Sequence, residues 1–243
     1  MSIEFAIETK QLCHTFGTGA VGVRVLHNVE LEIKRGEVVI LMGPSGSGKT
    51  TVLTLVGCLR SVQEGSVKLL ETELNGANDE TLMRMRHRIG FIFQAHNLHK
   101  SLTATQNVQM GLQIHGRQAN RNWREACRHM LELVGLGERV DFMPDQLSGG
   151  QKQRVAVARS LVGNPEVVFA DEPTAALDKE SGHKVVSLLR RLADERQTTI
   201  FMVTHDHRVL DYADRIIKME DGRVVEEKSI LFPGMEPANH RVT

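Results

Sequence analysis

Gly43 to Thr50 reads Gly-Pro-Ser-Gly-Ser-Gly-Lys-Thr, the phosphate-loop pattern of glycine, four residues, glycine, lysine and then serine or threonine. Gly43, Gly46 and Gly48 let backbone N–H groups turn inward as an anion-binding nest, with Pro44, Ser45 and Ser47 between them. Lys49 then suits the β- and γ-phosphates of a nucleotide and the Thr50 hydroxyl suits Mg²⁺, with Thr51 next in line. A glycine-rich turn with a chance lysine has the same letters, so the neighbouring residues must decide.

Four further stretches carry chemistry. Leu147-Ser148-Gly149-Gly150-Gln151 precedes a good helix, with Ser148 as its N-cap and two glycines that let an anion approach its positive end. This is a second phosphate-binding device in a chain with one phosphate loop; a plain capped helix is the bland alternative. The apolar run Val167 to Ala170 ends in Asp171, a position for holding Mg²⁺ in phosphate-loop ATPases, and Glu172 follows as a group to orient or deprotonate a water. Gln94, at the end of the apolar run Ile89 to Phe93, can reach Mg²⁺ or the attacking water, or be an ordinary strand-end amide. His205, in Thr-His-Asp-His, can bond a γ-phosphate oxygen; His205 with His207 lacks a third metal ligand at a sensible spacing.

The elements that must position these residues follow from pattern. Glu37 to Met42 reads as a buried parallel strand and Thr50 to Val56 as a helix, the context a phosphate loop needs. Ahead of them, Ile3 to Leu12 and Val23 to Ile33 read as an antiparallel pair joined by a glycine-rich loop. Phe16 falls in that loop, in a chain with eight Phe, one Trp and one Tyr, and its face can stack on adenine or plug the core. Gly65 to Leu70 reads as a strand and Asn78 to Arg88 as a helix. From 95 to 164 the spacing predicts three helices, Thr105 to Ile114, Asn120 to Val134 and Gly149 to Val162, as a helical insertion in an α/β core. Arg117, Arg121, Arg124 and Arg128 lie near one helical face, a solvated surface or a contact for a partner or anionic lipid. Val167 to Ala170 and Thr199 to Val203 are strands flanking a helix over Lys179 to Glu195, and Asp221-Gly222 joins two strands in a hairpin. The division is a single domain: 1–94 and 165–228 as catalytic core with an antiparallel β portion, 95–164 as the helical part, and 229–243 as a loose tail.

Composition excludes several classes. A chain of 243 residues buries a core with ease, and 30 basic against 30 acidic residues argue against a dedicated nucleic-acid binder. No apolar stretch approaches the roughly 20 residues of a membrane span, and no signal-peptide pattern is seen, so a cytosolic chain is expected. Cys13, Cys58 and Cys127 are scattered, which points to reduced structural thiols.

Together the phosphate loop, Gln94, Leu-Ser-Gly-Gly-Gln, Val-Val-Phe-Ala-Asp-Glu-Pro, Ala176-Leu177-Asp178 and His205 stand in the order and spacing of the nucleotide-binding domain of ABC (ATP-binding cassette) proteins, which the chain resembles over nearly its whole length. The resemblance implies a RecA-like α/β phosphate-loop ATPase core with an N-terminal antiparallel β subdomain and a helical signature subdomain. It implies ATP and Mg²⁺ as ligands, Phe16 as the adenine-stacking aromatic, Gln94 as the Q-loop glutamine and Ser148 to Gln151 as the signature. It further implies Asp171 as the Walker B aspartate, Glu172 as the catalytic base, Asp178 as the D-loop aspartate and His205 as the switch histidine.

The stretches Phe91 to Leu98, Leu102 to Val108 and Gly57 to Gly65 resemble the MacB and LolD group, most closely the DevA-type exporter ATPases. That likeness implies an ATP-dependent head-to-tail homodimer and integral membrane permease subunits. It extends to a periplasmic adaptor reached through the permease, lipid or glycolipid cargo and a place on the cytoplasmic face of the inner membrane. The ATPase of a solute importer shares every catalytic motif. A non-transport ABC protein usually adds a second cassette, a coiled-coil insertion or zinc-binding cysteines.

Overall fold

The structure, a computed structural model, describes residues 4–17, 19–114 and 122–230. Its first strands, β1 (Phe5–Phe16) and β2 (Val23–Lys34), pair antiparallel. β1 runs past the predicted end at Leu12, because Thr15 and Phe16 still pair with Arg24 and Val23 across bulges that put Gln11 and Asn28 at φ 51°. Phe16, expected in a loop, is therefore the last residue of a strand.

β3 (Val38–Met42) leads through the glycine-rich loop into α1 (Lys49–Val56). β4 (Glu64–Leu69) returns to β1, and the two-residue β5 (Thr72–Glu73), which has no periodic signal in the sequence, completes a sheet of order β2-β1-β4-β5. After α2 (Asp79–Arg86), capped by the Asn78 side chain, comes β6 (Ile89–Ile92). The helices α3 (Ala104–Ile114), α4 (Trp123–Leu133) and α5 (Gly149–Leu161) then intervene before β7 (Val167–Asp171). The chain closes with α6 (Lys179–Arg196), β8 (Thr199–Val203) and the hairpin β9 (Arg215–Glu220) and β10 (Arg223–Ser229). α4 starts at Trp123, later than the predicted Asn120, and Arg117 and Arg121 lie outside the described residues. β10 still pairs at Ser229, one residue into the predicted tail, while 231–243 lie outside the described residues.

The second sheet has the order β10-β9-β3-β8-β7-β6, parallel throughout except for the edge strand β10. Both of its faces are covered, which is why β3, β7 and β8 read as continuous apolar runs. Val38, Ile40, Val168, Ala170, Ile200 and Met202 pack with α3, α4, α5 and α6. The alternate residues Val39, Leu41, Val167, Phe169, Phe201 and Val203 pack with α1 and the first sheet. Cys13, Cys58 and Cys127 are buried and free, and burial pushes the Cys58 and Cys127 thiols up to about 11, as structural thiols require.

Register fixes the height at which the strands end. Leu41 pairs with Val203, Asp171 with Val203 and Ile92 with Ala170. The next residues, Met42-Gly43, Glu172, Thr204 and Phe93-Gln94, thus emerge along one edge, the carboxyl edge at which α/β proteins bind ligands. Under that edge the fully buried Phe169 ring stands between Phe91 and Phe201, with centroids 6.0 and 6.4 Å away. Phe169→Ala should cost about 3–5 kcal/mol, seen as a lower urea midpoint, and a loss under about 1 kcal/mol would contradict this packing.

Candidate functional site

The loop between β3 and α1 is shaped by backbone before side chains act. Gly43 has φ 151°, and a Cβ there would stand 2.0 Å from the Met219 carbonyl oxygen, so β9 leaves room for glycine alone. Around Gly46, at φ 83°, space is open, and the left-handed backbone is what requires glycine. The β9–β10 turn braces the loop, since the Gly222 N–H donates to the Ser47 carbonyl at 3.2 Å. α1 starts after Gly48 without a side-chain cap, which leaves its first N–H groups and its positive end for an anion.

Lys49 folds back over the loop, with Nζ 2.8 Å from the Gly43 oxygen, 2.7 Å from the Pro44 oxygen and 3.4 Å from Ser47 Oγ. Burial lowers its pKa, against the opposing pull of Glu172 and Asp171. At the next residue, facing the same cleft, Thr50 Oγ1 donates to both Asp171 oxygens, at 3.2 and 3.1 Å. Burial, then the like charge of Glu172, raises the Asp171 pKa, with Thr50 and Lys49 acting against it. A half-buried carboxylate short of positive charge, facing a hydroxyl, with Gln94 on the same cleft, is an oxygen donor set that fits Mg²⁺. Among the described residues no three His, Cys, Asp or Glu side chains cluster as a metal cage. A cation held here would draw its other ligands from water and from phosphate oxygens.

Glu172 sits just beyond β7 at φ 49°, its N–H bonded to the Val203 carbonyl at 2.9 Å. Its side chain is 13% exposed and doubly held: Oε1 lies 2.8 Å from His205 Nδ1, and Oε2 accepts from Thr204 Oγ1 at 3.2 Å. The His205 ring itself is 77% exposed and lines the cleft. Thr204 is a residue that motif reading passed over; its signal was its place before His205 in the same tetrapeptide. The neighbouring Asp206 faces elsewhere: Arg208 holds its carboxylate down at about 2, and it caps the short helix His207–Tyr212.

At the outer end of the cleft, Phe16 is 37% exposed, with the His14 ring edge-on at 4.8 Å and the Arg60 guanidinium 4.9 Å from its centroid. The cleft holds about 690 Å³. It is lined by Phe16, Gly43, Pro44, Ser45, Gly46, Gly48, Lys49, Thr50, Thr51, Gln94, Asp171, Glu172 and His205, and by Val25, which sequence reading did not single out. Ser47 is buried behind it.

The remaining sequence-predicted residues stand apart from this cleft. Ser148 and Gln151 form a capping box: Ser148 Oγ accepts from the Gln151 N–H at 3.3 Å, and Gln151 Oε1 accepts from the Ser148 N–H at 2.9 Å. Ser148 and Gly149 are exposed, Gly150 is half-buried, and none of the four lines the cleft. Asp178 caps α6 by accepting from the Ser181 N–H at 2.9 Å, a bond that lowers its pKa, and it too lies outside the cleft.

The family model described as ABC transporter matches residues 26–175, which include the phosphate loop, Gln94, Ser148 to Gln151, Asp171 and Glu172. The chain belongs to the ABC transporter family. An uncharacterized ABC transporter ATP-binding protein of Methanocaldococcus jannaschii, MJ0796, is 42% identical over 228 residues, 92% of this chain and 97% of that protein. A solved dimeric structure of MJ0796 in a post-hydrolysis state, bound to ADP and Pi, superposes with a TM-score of 0.87 at 40% identity, covering 92% of this chain and 98% of the other. The macrolide export ATP-binding/permease protein MacB of Aggregatibacter actinomycetemcomitans is 43% identical over 222 residues, 91% of this chain and 34% of MacB. CbiO1 from Clostridium perfringens, part of the ABC transporter complex CbiONQ, is more distant: 28% identical, TM-score 0.81, covering 93% of this chain and 89% of that one. This ABC protein is thus an ATPase subunit of a transporter, with the cassette fold the sequence resemblance implied.

The Asp171 environment gives a stability test. Its folded pKa is raised, so at pH 7 its ionised form weakens the nucleotide-free fold, and that cost disappears as pH falls through the raised value. Asp171→Asn should therefore be the more stable protein at pH 7 without nucleotide, with the difference shrinking towards pH 4 in urea unfolding. A less stable variant at pH 7 would contradict this electrostatic picture.

Proposed function

We propose that this ABC protein hydrolyses Mg-ATP in a head-to-tail homodimer and powers a MacB/DevA-like membrane exporter of lipid or glycolipid cargo. The observation that carries the proposal is the separation of the two phosphate-binding devices. The cleft holds the phosphate loop, Asp171, Glu172 and His205, while the capped, exposed start of α5 with Ser148 to Gln151 lies outside it. A two-fold axis lets each chain complete the other's cleft, with Asp178 beside the same seam. The dimeric state described for the MJ0796 structure supports this reading.

In this reading the loop N–H groups and Lys49 bind the β- and γ-phosphates, and Phe16 stacks on adenine. Thr50, Asp171 and Gln94 hold Mg²⁺, which when bound neutralises charge on the phosphate oxygens. Glu172 orients the attacking water and takes up its proton, and His205 holds the Glu172 carboxylate in place and reaches the γ-phosphate. Residues 95–164 move as a helical part against the core when two chains close, in a single-domain cassette.

The permease partner is supported by the MacB likeness and by a hollow of about 340 Å³ lined by Leu59, Ile89, Phe91, Phe93 and Met110, with Arg86 and Arg159 beside them. Its Phe93 and Asn97 flank Gln94 of the cleft in the chain, so movement at Gln94 can reach a permease segment seated there. Seated on its permease, the chain would lie at the cytoplasmic face of the inner membrane, and the permease would reach any periplasmic adaptor. The 43% identity to MacB, named as a macrolide export protein, favours this exporter over the importer alternative. Copurification from detergent extract separates the two: a permease with four spans and a large extracytoplasmic domain is expected, and a permease with a solute-binding partner would overturn the exporter assignment.

Glu172→Gln tests the chemistry. It removes the base while keeping the side chain's size, so hydrolysis should fall about 10²–10⁴-fold with ATP still bound. Mg-ATP should then convert the variant to a species of twice the mass by light scattering. Wild-type turnover would remove Glu172 as the base, and an inactive variant that stays monomeric would break the link between hydrolysis and dimer opening.

A further inference from the structure

Gln153, on the second turn of α5, is a polar side chain only 1% exposed. Burying an amide is costly unless its donors and acceptor are met, so its partners are informative. Nε2 donates to the Phe93 carbonyl and to the Pro173 carbonyl, both at 3.3 Å. Oε1 lies 2.6 Å from His96 Nδ1. Since an amide oxygen only accepts, His96 carries its proton on Nδ1 in this contact. Phe93 immediately precedes Gln94, His96 follows it by two residues, and Pro173 immediately follows Glu172. Arg159, farther along α5, adds bonds to the His96 and Asn97 carbonyls at 3.0 and 2.7 Å. One helix thereby grips the whole segment around Gln94, and one amide on it also grips the turn after Glu172.

We propose that Gln153 is a positioning residue that ties the Gln94 segment and the Glu172 turn to the start of α5, so that the state of a chain's own cleft sets where its Ser148 to Gln151 face stands. The inference rests on the roles proposed above for Gln94, Glu172 and the start of α5. It goes beyond them in naming the connection. A displacement of Gln94 pulls on the Phe93 carbonyl and on His96, and through Gln153 on the helix that begins at Gly149. The capping box keeps Ser148 to Gln151 moving as one unit with that helix. In a two-fold dimer this makes the cleft of one chain report to the cleft its signature completes.

The test uses the full chain with Mg-ATP and three variants. Gln153→Met keeps an unbranched side chain without donors. His96→Phe keeps a ring without the Nδ1 proton. His96→Asn restores an N–H where Nδ1–H stands. Misplacement by about 1 Å can cost about a hundredfold in rate, so Gln153→Met should lower kcat by about ten- to a hundredfold while KM for ATP holds. His96→Phe should lose rate in the same sense, and His96→Asn should recover most of it. A structural role alone would lower the melting temperature with kcat intact below it. Full kcat in Gln153→Met, or a KM that rises as kcat falls, would overturn the inference. Should Gln153→Met not fold, equal rates in His96→Phe and His96→Asn would overturn it. The outcomes separate from the proposed function: an inactive Glu172→Gln beside a fully active Gln153→Met sinks this connection alone, whereas an active Glu172→Gln sinks the base assignment.

Discussion

The parallel register of β3, β8 and β7 is the constraint on which the rest of the site depends. Leu41, Val203 and Asp171 stand side by side, so a phosphate loop, a histidine turn and a pair of carboxylates leave the sheet at one height. Slipping one strand by a residue would send alternate side chains to the wrong face and move Asp171 away from Thr50. That register is enforced by two apolar layers rather than by the polar site: Val168 and Ala170 point to the helices, Val167 and Phe169 to α1 and the first sheet. The core therefore positions the chemistry without taking part in it.

The cleft is built at an electrostatic disadvantage. Asp171 and Glu172 are adjacent acids, half-buried, and Lys49 is partly desolvated over the loop carbonyls. Asp171 and Lys49 each sit where their charge is less comfortable than in water, the condition expected of a site awaiting a highly charged ligand and a cation. Lys49 is parked on the neutral Gly43 and Pro44 carbonyl oxygens, and Thr50 on Asp171, so a phosphate bound in the loop would give Lys49 an ion pair in place of contacts to neutral acceptors.

Much of this was legible in the sequence because the motifs are local. A phosphate loop, an apolar strand ending in Asp171-Glu172 and a capped helix at Ser148 each carry their geometry in consecutive residues, and the structure gives each the expected element. The helices expected from apolar spacing over Gly149 to Val162 and Lys179 to Glu195 stand at 149–161 and 179–196; Ser148 was legible as a cap, whereas the Asp178 cap emerged only in the structure. What escaped depends on pairing partners rather than on periodicity. β5 is a two-residue strand made by pairing with β4, Phe16 became a strand end only through Val23, and Thr204 and Gln153 matter through partners 32 and 60 residues away. No periodicity marks a residue whose importance lies in what meets it across the fold.

The central claim is that one chain carries two half-sites and that a working site needs two chains. Lys49→Ala removes the phosphate-loop cation and Ser148→Arg obstructs the start of α5, so each variant alone forms dimers in which every composite site has a defect. Mixed, a Lys49→Ala chain lends its intact Ser148 to Gln151 to the intact phosphate loop of a Ser148→Arg chain, and one of the two sites in that dimer is whole. Measured as phosphate release with Mg-ATP at concentrations where the chains dimerise, the mixture should regain hydrolysis that neither variant has alone. A mixture no more active than the sum of its two separate components would contradict the composite site.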